Sequence, residues 1–137
     1  MKVTISRENI NTIKDITIKE HFEFQTNGKL FDILLDIKIE QAKEIILKFN
    51  NNEMRYIVEK NEIDEILIPN VNPNLKLRII IDVPVYDVCI NSGTIYNTKK
   101  RNDNGNNIDK IELITLGGAV YVKEFTIYEM RSIHCNK

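Results

Sequence analysis

The chain of 137 residues has no Trp and only 2 Ala, against 24 Ile. Helical domains usually depend on Ala, whereas stiff β-branched side chains suit a pleated sheet. No segment sustains the apolar i, i+3, i+4 spacing of a helix over a useful length. These absences predict an all-β fold.

The sequence also lacks an excess of either charge and any long apolar run. Its formal net charge is -1, from 19 basic and 20 acidic residues, which excludes a basic field for nucleic acid or a polybasic membrane patch. Apolar runs such as Ile79–Ile81 are too short to span a bilayer. Met1–Glu8 shows no apolar segment of a signal peptide, so we expect a cytoplasmic chain, although a longer parent protein could be secreted.

Cysteine and histidine are scarce, with two of each: Cys89, Cys135, His21 and His134. Their spacing does not match a zinc site, and no glycine-rich phosphate loop follows a strand, so we expect no metal and no cofactor. Cys89 lies in a strand pattern and is interpreted as a reduced filler residue. No catalytic residue is assigned.

What the sequence does contain is alternation of apolar residues with a period of two, in about ten short runs. It is clearest in Phe31–Ile39 and Leu75–Ile81. The chain length corresponds to about one domain with a core of its own, so residues 1–137 are predicted to form a single two-sheet antiparallel β-sandwich of jelly-roll, concanavalin-like type. The residues predicted inside it are Phe31, Ile33, Leu35, Leu77, Ile79, Ile81 and Ile127.

Polar segments, some with a Gly or a Pro, separate these runs. Asn27-Gly28 is typical of a type I′ turn, and Asn91–Gly93 of a hairpin turn. Pro84 is expected to break or bulge the ladder. Lys99–Asn107 is the one long polar loop, and we expect the highest mobility there.

Two segments carry a resemblance to a known family. One reads Leu77-Arg-Ile-Ile-Ile-Asp82 and continues to Asp87-Val-Cys-Ile-Asn91-Ser-Gly93. The other runs from Gly118-Ala-Val-Tyr to Tyr128-Glu-Met-Arg-Ser-Ile133. From Leu75 to Ile133, roughly 60 residues, the chain resembles the C-terminal β-sandwich of glycoside hydrolase family 32, the invertases, levanases and sucrose-6-phosphate hydrolases. It departs from the family at Val83-Pro84, usually Arg-Ser, and at Asp87, usually Glu.

The resemblance implies a non-catalytic role, because the family's catalytic residues lie in a five-bladed propeller that no part of this chain resembles. In such enzymes the sandwich supports the catalytic propeller domain, which would be the partner here. One alternative is a free-standing carbohydrate-binding module, related to family 66, that recognises fructosides. Another is a structural or interaction domain without sugar binding. Association into a homo-oligomer is compatible with each.

For a sugar site, the segment from Asp82 to Gly93 is the best candidate. Sugar hydroxyls both donate and accept hydrogen bonds, so acids, amides and a guanidinium suit them, and an aromatic ring offers a stacking face. The alternative for Asp82 is that its carboxylate caps backbone donors at the expected bulge. The predicted ligand-binding residues are Arg78, Asp82, Tyr86, Asp87, Asn91 and Tyr96.

Overall fold

The computed structural model describes residues 2–68, 73–90 and 95–136, and all regular structure in these ranges is β-strand. No helix there is long and apolar enough to cross a membrane. The twelve strands are β1 (Lys2–Ile18), β2 (His21–Gly28), β3 (Leu30–Ile39), β4 (Glu44–Phe49), β5 (Asn52–Ile57), β6 (Glu62–Ile63), β7 (Ile66–Leu67), β8 (Asn74–Ile81), β9 (Val85–Ile90), β10 (Ile95–Lys100), β11 (Ile108–Leu116) and β12 (Val120–Asn136).

The strands form two antiparallel sheets of six. The first sheet has the order β1-β12-β3-β8-β9-β10, and the second has the order β2-β11-β4-β5-β6-β7. Half of the neighbouring strand pairs are not consecutive in sequence, because the chain repeatedly crosses from one sheet to the other, which is the connectivity of a jelly-roll sandwich. The predicted fold class is confirmed. The count exceeds ten chiefly because two strands have only two residues.

Alternation of buried and outward residues builds the core between the sheets. In the first sheet, β3 and β8 pair so that Ile33 lies opposite Ile79 and Leu35 opposite Leu77. Directly opposed side chains lie on the same side of a sheet, so these apolar residues stack as rows against the second sheet. Every residue predicted to be inside is at most 1% exposed: Phe31, Ile33, Leu35, Leu77, Ile79, Ile81 and Ile127.

The predicted type I′ turn at Asn27-Gly28 is wrong. Gly28 ends β2 in the second sheet, and the next strand, β3, belongs to the first sheet, so this segment crosses between sheets and closes no hairpin. A Cβ on Gly28 would lie 2.8 Å from Oε1 of Glu129. A Cβ here would only displace the flexible Glu129 side chain of β12, a contact that turn propensities do not encode.

Pro84 lies in a tight turn between β8 and β9. The backbone N–H of Asp82 donates to the carbonyl of Val85 at 2.9 Å, and the register continues regularly with Ile80 opposite Asp87. The chain thus breaks the ladder at Pro84, and the bulge considered from the sequence is absent from this turn. Regular hairpin pairing brings Asp87 to the same side of the sheet as Asp82.

Truncating one central core side chain tests this arrangement. Leu77→Ala should lower the free energy of unfolding by about 2–5 kcal/mol, because the buried site loses transfer energy and keeps part of a cavity. Leu67→Ala is the matched control, since Leu67 is 72% exposed, and should change stability by less than about 0.5 kcal/mol. Urea unfolding measures both, and equal losses in the two variants would contradict the placement of Leu77.

Candidate functional site

The outer side of the first sheet carries a mixed polar and apolar surface, which we call the Arg78 face. Strands β3, β8 and β9 point every second residue inward, so the intervening residues line the outside. Arg78 lies opposite Leu34 and Cys89, and Ile80 lies opposite Asp32 and Asp87. The Arg78 face consists of Asp32, Leu34, Arg78, Ile80, Asp87 and Cys89.

An ion pair with two hydrogen bonds fixes the centre of this face. Arg78 Nε donates to Asp32 Oδ1 at 3.0 Å, and Arg78 Nη2 donates to Asp32 Oδ2 at 2.8 Å. Asp32 is only 3% exposed although it points away from the core, while the Arg78 side chain keeps 49% of its surface in solvent. The hydrogen bond to Asp32 raises the pKa of Arg78. The guanidinium is therefore held in place with part of its fork still open to a ligand.

Asp87 supplies an acceptor on the neighbouring strand. Its Oδ1 accepts a hydrogen bond from the Thr98 hydroxyl at 2.7 Å. Because Ile80 faces Asp87 while Arg78 faces Cys89, the acid and the guanidinium are diagonal neighbours across β8 and β9. Burial, with a smaller contribution from Asp87, raises the pKa of the Cys89 thiol, which keeps it protonated and a poor nucleophile. Such a face is suited to hydrogen-bonding a polyol rather than to covalent chemistry.

Arg78 and Asp87 are thus brought together as predicted, whereas Asp82 has a different role. Asp82 lies at the turn, and its Oδ1 accepts a hydrogen bond from the backbone N–H of Val83 at 2.7 Å. This is the capping role considered as the alternative. Of the other predicted residues, Asn91 lies outside the described residues. Tyr96 pairs with Cys89 in the register, but its side chain also lies outside the described part.

Tyr86 is a core residue, which removes its ring as a stacking surface. It is 2% exposed, and its hydroxyl donates to the carbonyl of Glu53 at 3.3 Å. The ring packs edge-on against Phe49, with centroids 5.0 Å apart. Consecutive strand residues point to opposite sides, so Tyr86 and Asp87 cannot contribute to one face.

A second polar site lies at one end of the sandwich and was not predicted as a site. It is a cavity of about 480 Å³ lined by Asn50, Asn51, Asn102, Asp103, Asn104, Asn106 and Asn107. Asn50 and Asn104 adopt positive φ angles of 49° and 55°, which Asn tolerates better than most residues. The clustering of Asn in these two segments is visible in the sequence, but Asn is common in turns, so the cluster alone does not indicate a site.

The floor of this Asn-lined cavity is a buried ion pair within the stretch expected to be a mobile loop. Arg101 Nε and Nη2 donate to the two carboxylate oxygens of Asp103 at 2.9 and 2.8 Å. The three remaining N–H groups donate to the carbonyls of Lys29, Asp82 and Asn106, at 2.8–2.9 Å. All five guanidinium donors are used, so the charge is buried without an unsatisfied donor and the loop is folded around it.

This environment strongly shifts the pKa of Asp103. Burial by itself would raise the pKa of the carboxyl, but hydrogen bonds from Arg101 and Asn50, together with the Arg101 charge, lower it from 3.8 to about 2. The Asn50 amide donates to Asp103 Oδ2 at 2.6 Å. The carboxylate is therefore ionised at any pH near neutrality and holds the loop closed.

The lowered pKa of Asp103 predicts a loss of stability in acid. A depressed folded-state pKa supplies stability above the unfolded value of 3.8, and that stability disappears as the pH falls toward 2. The loss should be about 2 kcal/mol. Urea unfolding between pH 5 and 2 measures it. The Asp103→Asn variant should lack this part of the decline, whereas Asp109→Asn, at an exposed acid, should retain it; parallel curves for all three proteins would contradict the assignment.

Comparison with known proteins identifies the fold but gives no match in sequence. No protein-family model and no curated protein matches the chain. A fructofuranosidase from Schwanniomyces occidentalis aligns with a TM-score of 0.78 at 12% identity, over 94% of this chain and 34% of the enzyme. An exo-inulinase from Aspergillus awamori aligns with a TM-score of 0.68 at 17% identity, over 92% of this chain and 29% of the enzyme.

A galectin from Caenorhabditis elegans also shares the architecture, with a TM-score of 0.62 at 9% identity, over 85% of this chain and 95% of the galectin. At these identities the matches show the fold alone. The chain spans about a third of the length of the fructofuranosidase and the exo-inulinase. The resemblance to the C-terminal β-sandwich of glycoside hydrolase family 32 enzymes is thereby confirmed at the level of the fold.

Proposed function

We propose that this chain acts as the non-catalytic C-terminal β-sandwich of a β-fructosidase and supports a separate catalytic propeller domain. The observation that carries the proposal is the share of each chain that the structural alignments cover. Nearly the whole chain aligns with about a third of a fructofuranosidase and of an exo-inulinase. The chain therefore corresponds to one architectural part of such an enzyme.

The state of the carboxyl groups agrees with a supporting role. A glycosidase needs a carboxylic acid with a raised pKa beside a second carboxylate. Asp103 and Glu112 show the opposite shift: burial opposes ionisation of each, but their hydrogen-bonding partners lower both pKa values. Asp32 is committed to its two hydrogen bonds with Arg78. Asp32 and Asp103 are thus committed to ion pairs within the sandwich.

The purified chain should release no reducing sugar from sucrose, levan or inulin. The physical reason is that the pKa values of Asp103 and Glu112 are lowered, whereas a general acid needs a raised pKa. A family 32 invertase assayed in parallel controls for substrate quality. Sugar release that persists through purification and is abolished by a single carboxylate substitution would overturn the proposal.

The native polypeptide gives an independent test of the parent enzyme. An antibody raised against this chain should detect a band about three times its 16.0 kDa, because the chain matches only 29–34% of the two enzymes. Alternatively, a 16 kDa band that co-purifies with a separate fructosidase would support the same role in a two-chain enzyme. A 16 kDa band with no associated hydrolase would contradict it. Blotting cell extract and medium separately tests the cytoplasmic location.

The Arg78 face favours a second candidate, a carbohydrate-binding module that recognises fructosides. It offers a guanidinium positioned by Asp32, an acceptor at Asp87 and the apolar side chain of Ile80 between them. A ligand with closely spaced hydroxyls can donate to the acid and accept from the guanidinium. The open, half-exposed Arg78 fork is the observation that supports this candidate.

Calorimetric titration with fructose and levan tests the second candidate. Asp87→Ala should weaken binding by at least 1 kcal/mol, since a hydrogen bond to a charged group is worth about 1.5–3 kcal/mol. Asn104→Ala, in the Asn-lined cavity, is the matched control and should bind as the wild type does. The reverse result would place the sugar in that cavity. A wild type that binds no fructoside would eliminate the module and leave the supporting role.

A further inference from the structure

Three potential metal ligands converge on the outer side of the second sheet, away from both polar sites. His21 and Glu23 are alternate residues of β2, so both point outward. Glu112 on β11 lies directly opposite Glu23 in the antiparallel register. One ligand atom from each of the three side chains lies within 4.8 Å of the others. We call His21, Glu23 and Glu112 the β2–β11 cluster.

Two of the three ligand separations in the cluster are close to the edge length of a zinc tetrahedron. His21 Nε2 is 3.2 Å from Glu112 Oε1 and 3.8 Å from Glu23 Oε1. Bonds of about 2.0–2.2 Å at tetrahedral angles place the ligand atoms roughly 3.3–3.6 Å apart. The two distances from His21 lie close to this range, and rotation of the Glu23 side chain would bring the third pair of ligand atoms together from a separation of at most 4.8 Å. The ligands also come from two paired strands, which hold them more rigidly than a loop would.

Neighbouring side chains position one ligand and supply the positive charge that a metal would replace. Gln25 Nε2 donates to Glu23 Oε2 at 2.6 Å, which leaves Oε1 as the oxygen nearer to His21. Glu23 and Glu112 are like charges directly opposed across the strands, an unfavourable pairing without a cation. Lys110 Nζ, 3.3 Å from Glu112 Oε1, partly provides that cation.

The geometry points to a zinc(II) site formed by His21 Nε2 and one carboxylate oxygen each of Glu23 and Glu112. The neutral imidazole binds through Nε2 and carries its proton on Nδ1, while Lys110 moves away from the metal. Three protein ligands leave the fourth position to water or to a donor from another molecule. The site links β2 to β11 and is independent of the proposed role in a fructosidase.

Titration with zinc chloride in a non-chelating buffer tests the site. The wild type should bind zinc, and His21→Ala and Glu112→Gln should each weaken binding at least about tenfold, the scale on which even outer partners of a metal act. Lys110→Met should tighten binding several-fold, because it removes the competing cation. His134→Ala, at the other histidine, is the matched control and should bind zinc as the wild type does.

A second readout distinguishes this site from zinc bound by the thiols. Zinc should raise the melting temperature of the wild type, because it binds the folded pair of strands, and this rise should be absent in His21→Ala. His21 is 44% exposed, so the variant is expected to fold, and a circular dichroism spectrum verifies this. Equal zinc affinity in the wild type and His21→Ala, or no binding by the wild type below about 1 mM, overturns the proposal.

Discussion

Antiparallel pairing with strict alternation is the constraint on which the other features depend. Each strand gives one set of side chains to the shared core and leaves the other set outside. The pairing of β3 with β8 that buries Ile33 opposite Ile79 also places Asp32 near Arg78 on the outer side. It does so because adjacent residues of a strand point to opposite sides of the sheet. A slip of one residue would expose the core and bury the ion pair together, so the packing of the interior determines the chemistry of the exterior.

The outer surfaces of the two sheets differ in how their carboxylates are paired with positive charges. On the first sheet, Asp32 is nearly inaccessible beneath a guanidinium that remains half exposed. On the second sheet, Glu23 and Glu112 oppose each other, and Lys110 only partly compensates for their charge. One surface therefore presents a preformed donor fork, whereas the β2–β11 cluster on the other holds two carboxylates against one lysine.

Much of the fold and of the Arg78 face could be predicted from the sequence, and the predictions that were wrong share a cause. Alternation alone identifies the core and the outward positions of Arg78 and Asp87. The same rule applied to adjacent residues would have excluded Tyr86 from their face. The crossing at Gly28 depends on the strand order, and the folded loop at Arg101 depends on a contact with Lys29. Contacts between residues so distant in the sequence are fixed by topology, which local patterns do not encode.

Because all five N–H donors of Arg101 are used, one end of the sandwich has two parts that differ in how far their sequence can change. Its guanidinium ties together carbonyls from three separate segments, so a different length or backbone path in any of them would leave a buried donor unpaired. The side chains of Asn51 and Asn104 lie above this floor, and no hydrogen bond joins them to it within the described residues. This end therefore combines a fixed framework with a rim on which the Asn51 side chain can be exchanged, whereas Asn104, held at a positive φ of 55°, cannot be replaced freely.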